Sequence, residues 1–520
     1  MKILLVAPKN PESFWTFDAI LKILGKRSVF PNLALPTVAA LTPPEHEVVL
    51  CDENVEPLDF DCEADLVGIT GYIVHRQRML EIAGEFRRRG KFVVIGGPYA
   101  SLCPEELAPH ADSVFVGEAE RAWSRFLRDY SAGAPSSIYQ QENIPDLHDS
   151  PCPRFDLLKT DRYRSITIQF SRGCPYNCEF CDVTVLYGRR PRTKLPEQLL
   201  AELDLLRRLA VRNVFVTDDN FVGNKREAKA VLEQLIAWQE AHRRPVEFQT
   251  QVSINVARDD ELLDLLRRAN FTSVFVGIES PRPESLQEAQ KSQNLKGDLV
   301  QAVHHIQSFG IEVMAGMIVG FDHDDASIFD EHLRFIQEAS IPISMTGMLN
   351  AIPGTALYGR LRSAGRLVRD NLSNLGDQFA FTNVIPAGMS SLELYQGYRR
   401  LLERLYSYRS FRQRALRCLL RQAEGEIRPT LMSGAHDLGI FLRMLWTCVL
   451  RTSPGRSWMT VSLLLNTAIR RPSAFRSAVT LALIHLHLHR YVRHLSRKLD
   501  DIIAELKRSD RQASQPLPIA

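Results

Sequence analysis

A chain of 520 residues with 45% hydrophobic and 24% charged side chains is too long for one core and has ordinary globular composition. A formal charge of +3 gives no general reason to expect nucleic acid as a partner. No stretch offers the roughly 18 uninterrupted apolar residues of a membrane span.

Met1–Pro8 is too short for the apolar part of a signal peptide and reads as a first β-strand. The expected compartment is therefore the cytoplasm, where thiols stay reduced and nine cysteines are not a disulfide framework. Through residues 1–135 strand-like and helix-like stretches alternate. Strands are expected at Lys2–Ala7, Glu47–Cys51, Leu66–Thr70, Phe92–Ile95 and Ser113–Val116. A helix is expected over Arg76–Arg89, whose apolar residues recur at three- and four-residue spacing. This alternation implies an α/β domain, a doubly wound, Rossmann-like parallel sheet that binds its ligand beyond the carboxyl ends of the strands. Those ends read Gly71-Tyr72, Gly96-Gly97-Pro98-Tyr99 and Gly117-Glu118. Glycines there let a bulky flat ligand approach the backbone. His75 is read as a helix-surface residue.

Residues 136–164 are rich in Ser, Pro and Asp and read as a linker. A second strand–helix series fills 165–370. Its expected strands are Ile166–Phe170, Asn213–Thr217, Glu247–Val252, Ser273–Gly277, Glu312–Val319 and Ser344–Leu349. Its helices are expected over Pro196–Ala210, Lys225–His242, Asp259–Ala269 and Asp298–Phe309. Six βα units suggest a partial or full parallel barrel with its chemistry at the strand C-termini. Residues 371–520 read as mainly helical. Within 401–520 there are 20 Lys/Arg against 8 Asp/Glu, and arginines interrupt apolar stretches such as Phe441–Leu450 and Ala478–Leu488. His485, His487 and His489 would fan out around a helix, which disfavours a metal site.

The segment Ser171-Arg-Gly-Cys174-Pro-Tyr-Asn-Cys178-Glu-Phe-Cys181 follows an expected strand. Its spacing lets three soft thiolates converge on one centre, either an iron–sulfur cluster or zinc. Zinc would need a fourth ligand, and the closest candidates, Cys152 and His148, lie across the linker. Three ligands instead suit a 4Fe–4S cluster with one iron open to a small molecule.

With Phe180 just before the last cysteine, this segment resembles the signature of the radical S-adenosylmethionine (SAM) enzymes. Val216-Thr-Asp218-Asp219-Asn220-Phe221, Val276-Gly-Ile-Glu279-Ser280, Gly316-Met-Ile-Val-Gly-Phe321 and Ile352-Pro-Gly-Thr355 look like that family's later motifs, in the family's order. The resemblance implies metal ligation by Cys174, Cys178 and Cys181. It also implies SAM contacts from Tyr176, Phe180, Asp218, Asp219, Asn220, Glu279 and Ser280, and an electron donor such as flavodoxin or ferredoxin.

The first domain resembles the cobalamin-binding domain that precedes many of these barrels, through Leu66–Gly71, Val93–Pro98, Pro104–Glu106 and Val116–Glu120. The implied cobalamin contacts are Thr70, Gly71, Tyr72, Gly96, Gly97, Pro98, Tyr99, Gly117 and Glu118. One departure stands out. Many cobalamin proteins place Asp-x-His-x-x-Gly after the first strand, whereas Pro8–Trp15 here contains no histidine.

Together these features imply a cobalamin-dependent radical SAM methylase acting on an unactivated carbon. Ser13–Phe17, Arg471–Phe475 and Ala478–Ala482 are similar to the hopanoid 2-methylase subgroup, which points to a lipid or natural-product intermediate. Basic, apolar helices near the C-terminus suggest peripheral membrane contact. The alternatives are a non-methylating rearrangement or cyclisation with the same cofactors, and a non-catalytic metal-bound scaffold. A methylthio-transferring enzyme is disfavoured, because the first domain lacks the cysteine trio such enzymes use.

Overall fold

A computed structural model describes residues 1–368, 379–421 and 435–513. The boundary expected at 370/371 lies outside the described residues. The chain forms two compact units, one built on Met1–Phe275 and Ile352–Gly359, the other on Val276–Ala351 and the C-terminal part.

In the first unit, β1 (Lys2–Ala7), β2 (Glu47–Asp52), β3 (Leu66–Thr70), β4 (Phe92–Gly96), β5 (Ser113–Val116) and β6 (Ile138–Gln140) form a parallel sheet. Its order is β2-β1-β3-β4-β5-β6. The inner strands β1, β3 and β4 are apolar almost throughout because helices cover both faces. Leu4, Val6, Val67 and Ile95 pack against Met79, Ile82 and Phe86 of the helix Arg76–Arg88. Their neighbours Ile3, Leu5, Leu66 and Val94 point the other way, toward Leu35, Trp123 and Phe126. Strand β6 falls inside the stretch read as a linker. Three residues carry no readable periodicity, and the strand is held by Tyr139, which is buried and stacks on Phe115 at 5.3 Å.

The second sheet contains β7 (Ile166–Ile168), β10 (Asn213–Val216), β11 (Glu247–Val252), β12 (Phe271–Glu279), β13 (Glu312–Val319) and β14 (Ser344–Met348). Its order is β14-β13-β12-β11-β10-β7, open at both edges as a partial barrel requires. Strand β7 pairs parallel with β10, β10 with β11, and β13 with β14. Between β7 and β10 lies a ribbon that the sequence did not announce. Its strands, β8 (Ser171–Arg172) and β9 (Arg192–Thr193), pair antiparallel on either side of the cysteine loop. The helices Lys225–Ala241, Asp260–Arg268 and Leu299–Ser308 begin where Asn224, Asp259 and Asp298 accept the first free backbone N–H groups.

The C-terminal part of the second unit is helical as expected, with Ser391–Leu405, Tyr408–Arg421, Ala435–Leu445, Pro454–Arg470 and Phe475–Ala513. His485 and His487 are buried on the last helix, and His485 Nε2 lies 3.0 Å from the Tyr406 carbonyl. They serve helix packing.

His332, on the helix Ile328–Glu338, is fully buried, and neither ring nitrogen reaches a partner among the described residues. Burial lowers its pKa to about 3. The unfolded chain takes up this proton near pH 6.5 and the folded chain does not, so the group's contribution is present above 6.5 and lost as pH falls toward 3. A His332→Leu variant is therefore expected to gain on the parent by about 1.4 kcal/mol for each pH unit below 6.5. Parallel urea unfolding at pH 7 and pH 5 measures it, and equal pH slopes for the two proteins would refute it.

Candidate active site

Beyond the carboxyl ends of β1, β3, β4 and β5 the first unit encloses a cavity of about 540 Å³. Thr70 and Tyr72 line it after β3, Gly96, Gly97 and Pro98 after β4, and Gly117 and Glu118 after β5. Of these, Gly97 has no substitute. Its φ is 91°, and a Cβ there would stand 2.4 Å from Thr70 Oγ1. Two expected contacts lie elsewhere. Gly71 is outside the lining and packs against Met79 and His75, while Tyr99 is wholly buried in the sheet–helix core.

His75 is not on a helix surface but buried against this cavity. Its Nδ1 accepts the Tyr72 N–H at 3.0 Å, which leaves Nε2 protonated and able to donate to Asn10 Oδ1 at 2.8 Å. Burial lowers its pKa to about 4, so the ring is neutral. With both nitrogens engaged inside the protein, His75 is not presented as a ligand. A flat corrinoid without a protein imidazole fits this wall, whose glycines leave the backbone bare.

The opposite wall is built by the second sheet: Gln169 after β7, Arg172, Asp182 and Tyr187 around the cysteine loop, and Thr217 and Asp219 after β10. The loop is anchored at its start. Asp218 is wholly buried, and its carboxylate accepts Phe170 N–H (2.8 Å), Ser171 N–H (2.9 Å) and Ser171 Oγ–H (2.7 Å). Spent on these donors, Asp218 positions the loop rather than facing a ligand, although burial still raises its pKa to about 6. Asp219 accepts the Gly173 N–H at 2.8 Å, and burial raises its pKa to about 7. Gly173 takes φ 96°, and its backbone passes so close to that of Gly188 that a Cβ would stand 3.0 Å from the Gly188 oxygen.

Asn220 Nδ2 lies 3.9 Å from Cys174 Sγ, and its Oδ1 accepts the Ser253 N–H at 3.1 Å. Asn255 donates to the Tyr176 hydroxyl at 2.9 Å. Tyr176, Phe180 and Asn220 thus belong to the cysteine loop and its supports, outside the cavity lining. Glu279 and Ser280 lie in the second unit. Glu279 has φ 67° and pairs with Lys291 at 2.5 Å, and Ser280 is wholly buried.

Cys174, Cys178 and Cys181 are all half-buried on one loop. Among the described residues no three His, Cys, Asp or Glu close on a single metal ion. A cubane cluster takes each thiolate at a separate iron, and three soft donors on a loop pinned by Asp218 and Asp219 suit it.

Sequence reading missed what ties the two walls together. Glu118, expected to face a ligand, pairs instead with Arg172 (2.5 Å) and Arg192 (2.7 Å), and Glu120 pairs with Arg172 (2.7 Å), all with nearly buried side chains. His75, Asn10, Asp182 and Tyr187 were also missed. None has a local pattern, since the fold brings them together from distant segments.

Comparison with known proteins agrees with this architecture. Residues 27–127 match the model of the B12 binding domain, 168–336 that of the radical SAM superfamily, and 355–501 that of a domain of unknown function. The chain is 37% identical to an uncharacterized methyltransferase of Synechocystis sp. over 94% of this chain and 92% of that protein. It is 35% identical to the hopanoid C-2 methylase of Rhodopseudomonas palustris, over 71% of this chain and 72% of the relative. Among solved structures, the fold is similar to the cobalamin-dependent SAM radical enzyme OxsB (TM-score 0.60, 14% identity, 98% of this chain and 81% of that one). It is also similar to the radical SAM methyltransferase TsrM from Kitasatospora setae (TM-score 0.54, 17% identity, 70% of this chain and 78% of that one).

Proposed function

The chain belongs to the cobalamin-dependent radical SAM methylases, and from that premise we propose that it methylates an unactivated carbon of a polycyclic, hopanoid-like lipid. The observation that supports this reading is one cavity with cobalamin-type strand ends on one wall and the cysteine-loop supports on the other. The likeness to the hopanoid C-2 methylase supports the lipid. In this reading residues 1–135 hold cobalamin, 165–370 hold the cluster and SAM, and 371–520 form the helical part. Reduction comes from a donor such as flavodoxin or ferredoxin, and the enzyme works in the cytoplasm with peripheral contact to the membrane.

When bound, the cluster with SAM and the cobalamin would supply radical hydrogen abstraction and a methyl carrier. The protein's own work is placement and exclusion of water. Asp218 and Asp219 fix the start of the cysteine loop, and Asn220 braces it from behind. Phe30, Phe215 and Leu186 give the cavity an apolar lining. Bare backbone at Gly96, Gly97 and Gly117 leaves room for a wide ring. Abstraction of hydrogen by a radical needs no base, so none is assigned.

The test is turnover of anaerobically reconstituted enzyme with methyl-deuterated SAM and candidate polycyclic lipids. Expected are a deuteromethylated lipid and equal amounts of 5′-deoxyadenosine and S-adenosylhomocysteine. Deoxyadenosine with an altered, unmethylated product would instead favour cyclisation or rearrangement.

A further inference from the structure

The helices that follow residue 435 expose an apolar face that the cofactor chemistry does not use. On Ala435–Leu445 and the π-helical turn Trp446–Leu450, Leu438, Leu442, Trp446 and Leu450 stand four residues apart, each more than half exposed. On Pro454–Arg470, Trp458, Val461, Leu465 and Ile469 repeat at helical spacing on the water-facing side, with Ile469 80% exposed. The inner sides of the same helices are filled by Met444, Cys448, Met459, Leu463 and Leu464, all buried. Each helix is therefore apolar on both faces, and a solvated helix has no reason to be so.

From the first exposed leucine of this face onward, as far as Leu499, the charges have one sign. From Leu438 to Leu499 there is no Asp or Glu, while ten arginines and lysines occur. Arg443, Arg451 and Arg470 are exposed beside the apolar residues. The Arg451 guanidinium lies 5.5 Å from the Trp446 ring, and that of Arg412 lies 4.9 Å from the Trp458 ring. Tryptophan with arginine at the edge of an apolar surface is the arrangement that suits the boundary between lipid headgroups and acyl chains. A second copy of this chain would oppose positive charge with positive charge. Among the described residues no helix is long and apolar enough to cross a membrane, so the contact is with a surface.

We propose that the exposed face of the helices Ala435–Leu445 and Pro454–Arg470 seats the enzyme on an anionic lipid bilayer. This rests on the lipid-methylating reading only for its purpose. Leu438, Leu442, Trp446, Leu465 and Ile469 enter the acyl boundary, and the arginines meet lipid phosphates.

The test is co-sedimentation of the full-length, reconstituted enzyme with vesicles of pure phosphatidylcholine or of equal phosphatidylcholine and phosphatidylglycerol. Binding to the anionic vesicles, weakened by salt, is expected. The triple variant Leu442→Ser, Leu465→Ser, Ile469→Ser is expected to lose about a hundredfold in vesicle affinity. It should keep the parent's melting temperature and deoxyadenosine formation, because these side chains already face water. Three results overturn the proposal: no sedimentation at low salt, equal binding by the variant, or a dimer in light scattering that the variant abolishes. An enzyme that methylates a lipid in detergent yet ignores vesicles refutes the docking alone. One that binds vesicles but methylates only a water-soluble compound refutes the lipid substrate alone.

Discussion

Replacing Cys178 by alanine is expected to reduce the iron bound after anaerobic reconstitution to background and to abolish 5′-deoxyadenosine formation. The reason is the number of donors. The segment Cys174–Cys181 supplies three thiolates, and among the described residues no group of three His, Cys, Asp or Glu offers another metal site. Removing one leaves two ligands for a cubane that already has an open iron. Cys174→Ala and Cys181→Ala should behave alike, whereas Cys152→Ala, at an exposed position, should keep both iron and activity. Iron analysis and the visible spectrum separate ligand loss from misfolding, since the apo variant should melt within a few degrees of the apo parent. Full iron content in Cys178→Ala would show that this cysteine is not a ligand.

How much of this was legible in the sequence depends on the range of each interaction. The expected strands of both sheets stand within a residue or two of where apolar runs place them, because burial on both faces demands such runs. The cysteine loop was legible because its three donors lie within eight residues, so their spacing is their geometry. The residues that hold the loop were only half legible. Asp218-Asp219-Asn220 stood out as a motif, but nothing local shows that Asp218 turns to the backbone of Phe170 and Ser171, almost fifty residues earlier. His75 was misread for a related reason. On a helical wheel it is an isolated polar residue. It is buried because Asn10, 65 residues away, reaches its Nε2. Strand β6 and the β8–β9 ribbon are two or three residues long and owe their pairing wholly to neighbours.

The Arg172 cluster joins residues more than fifty positions apart, and breaking it is expected to cost most in stability. Arg172 bridges Glu118 and Glu120, with side-chain exposures of 13%, 3% and 4%. In an Arg172→Met variant Glu118 keeps Arg192, whereas Glu120 keeps no cation among the described residues. An unpaired carboxylate in that setting is typically destabilising by about 3–5 kcal/mol. The pairing itself need not contribute that much, because burying three charges has already cost part of their attraction. A cycle with Glu120→Gln separates the two effects. If the loss in Arg172→Met comes from the stranded carboxylate, Glu120→Gln in the same chain should recover at least half of it, while Glu120→Gln alone should cost little. Arg172→Lys should recover only part of the loss: both carboxylates meet one nitrogen, Nη1, whose charge an ammonium supplies, but the Nε–H bond to Gln169 at 2.7 Å goes with the guanidinium. Urea unfolding of the apo proteins measures the cycle. Cobalamin retention reads the consequence for the site, because Arg172, Glu118 and Glu120 all line the cavity. A double variant that regains stability but not cobalamin would place Arg172 at the ligand itself. One that regains both would make its role the joining of the two walls.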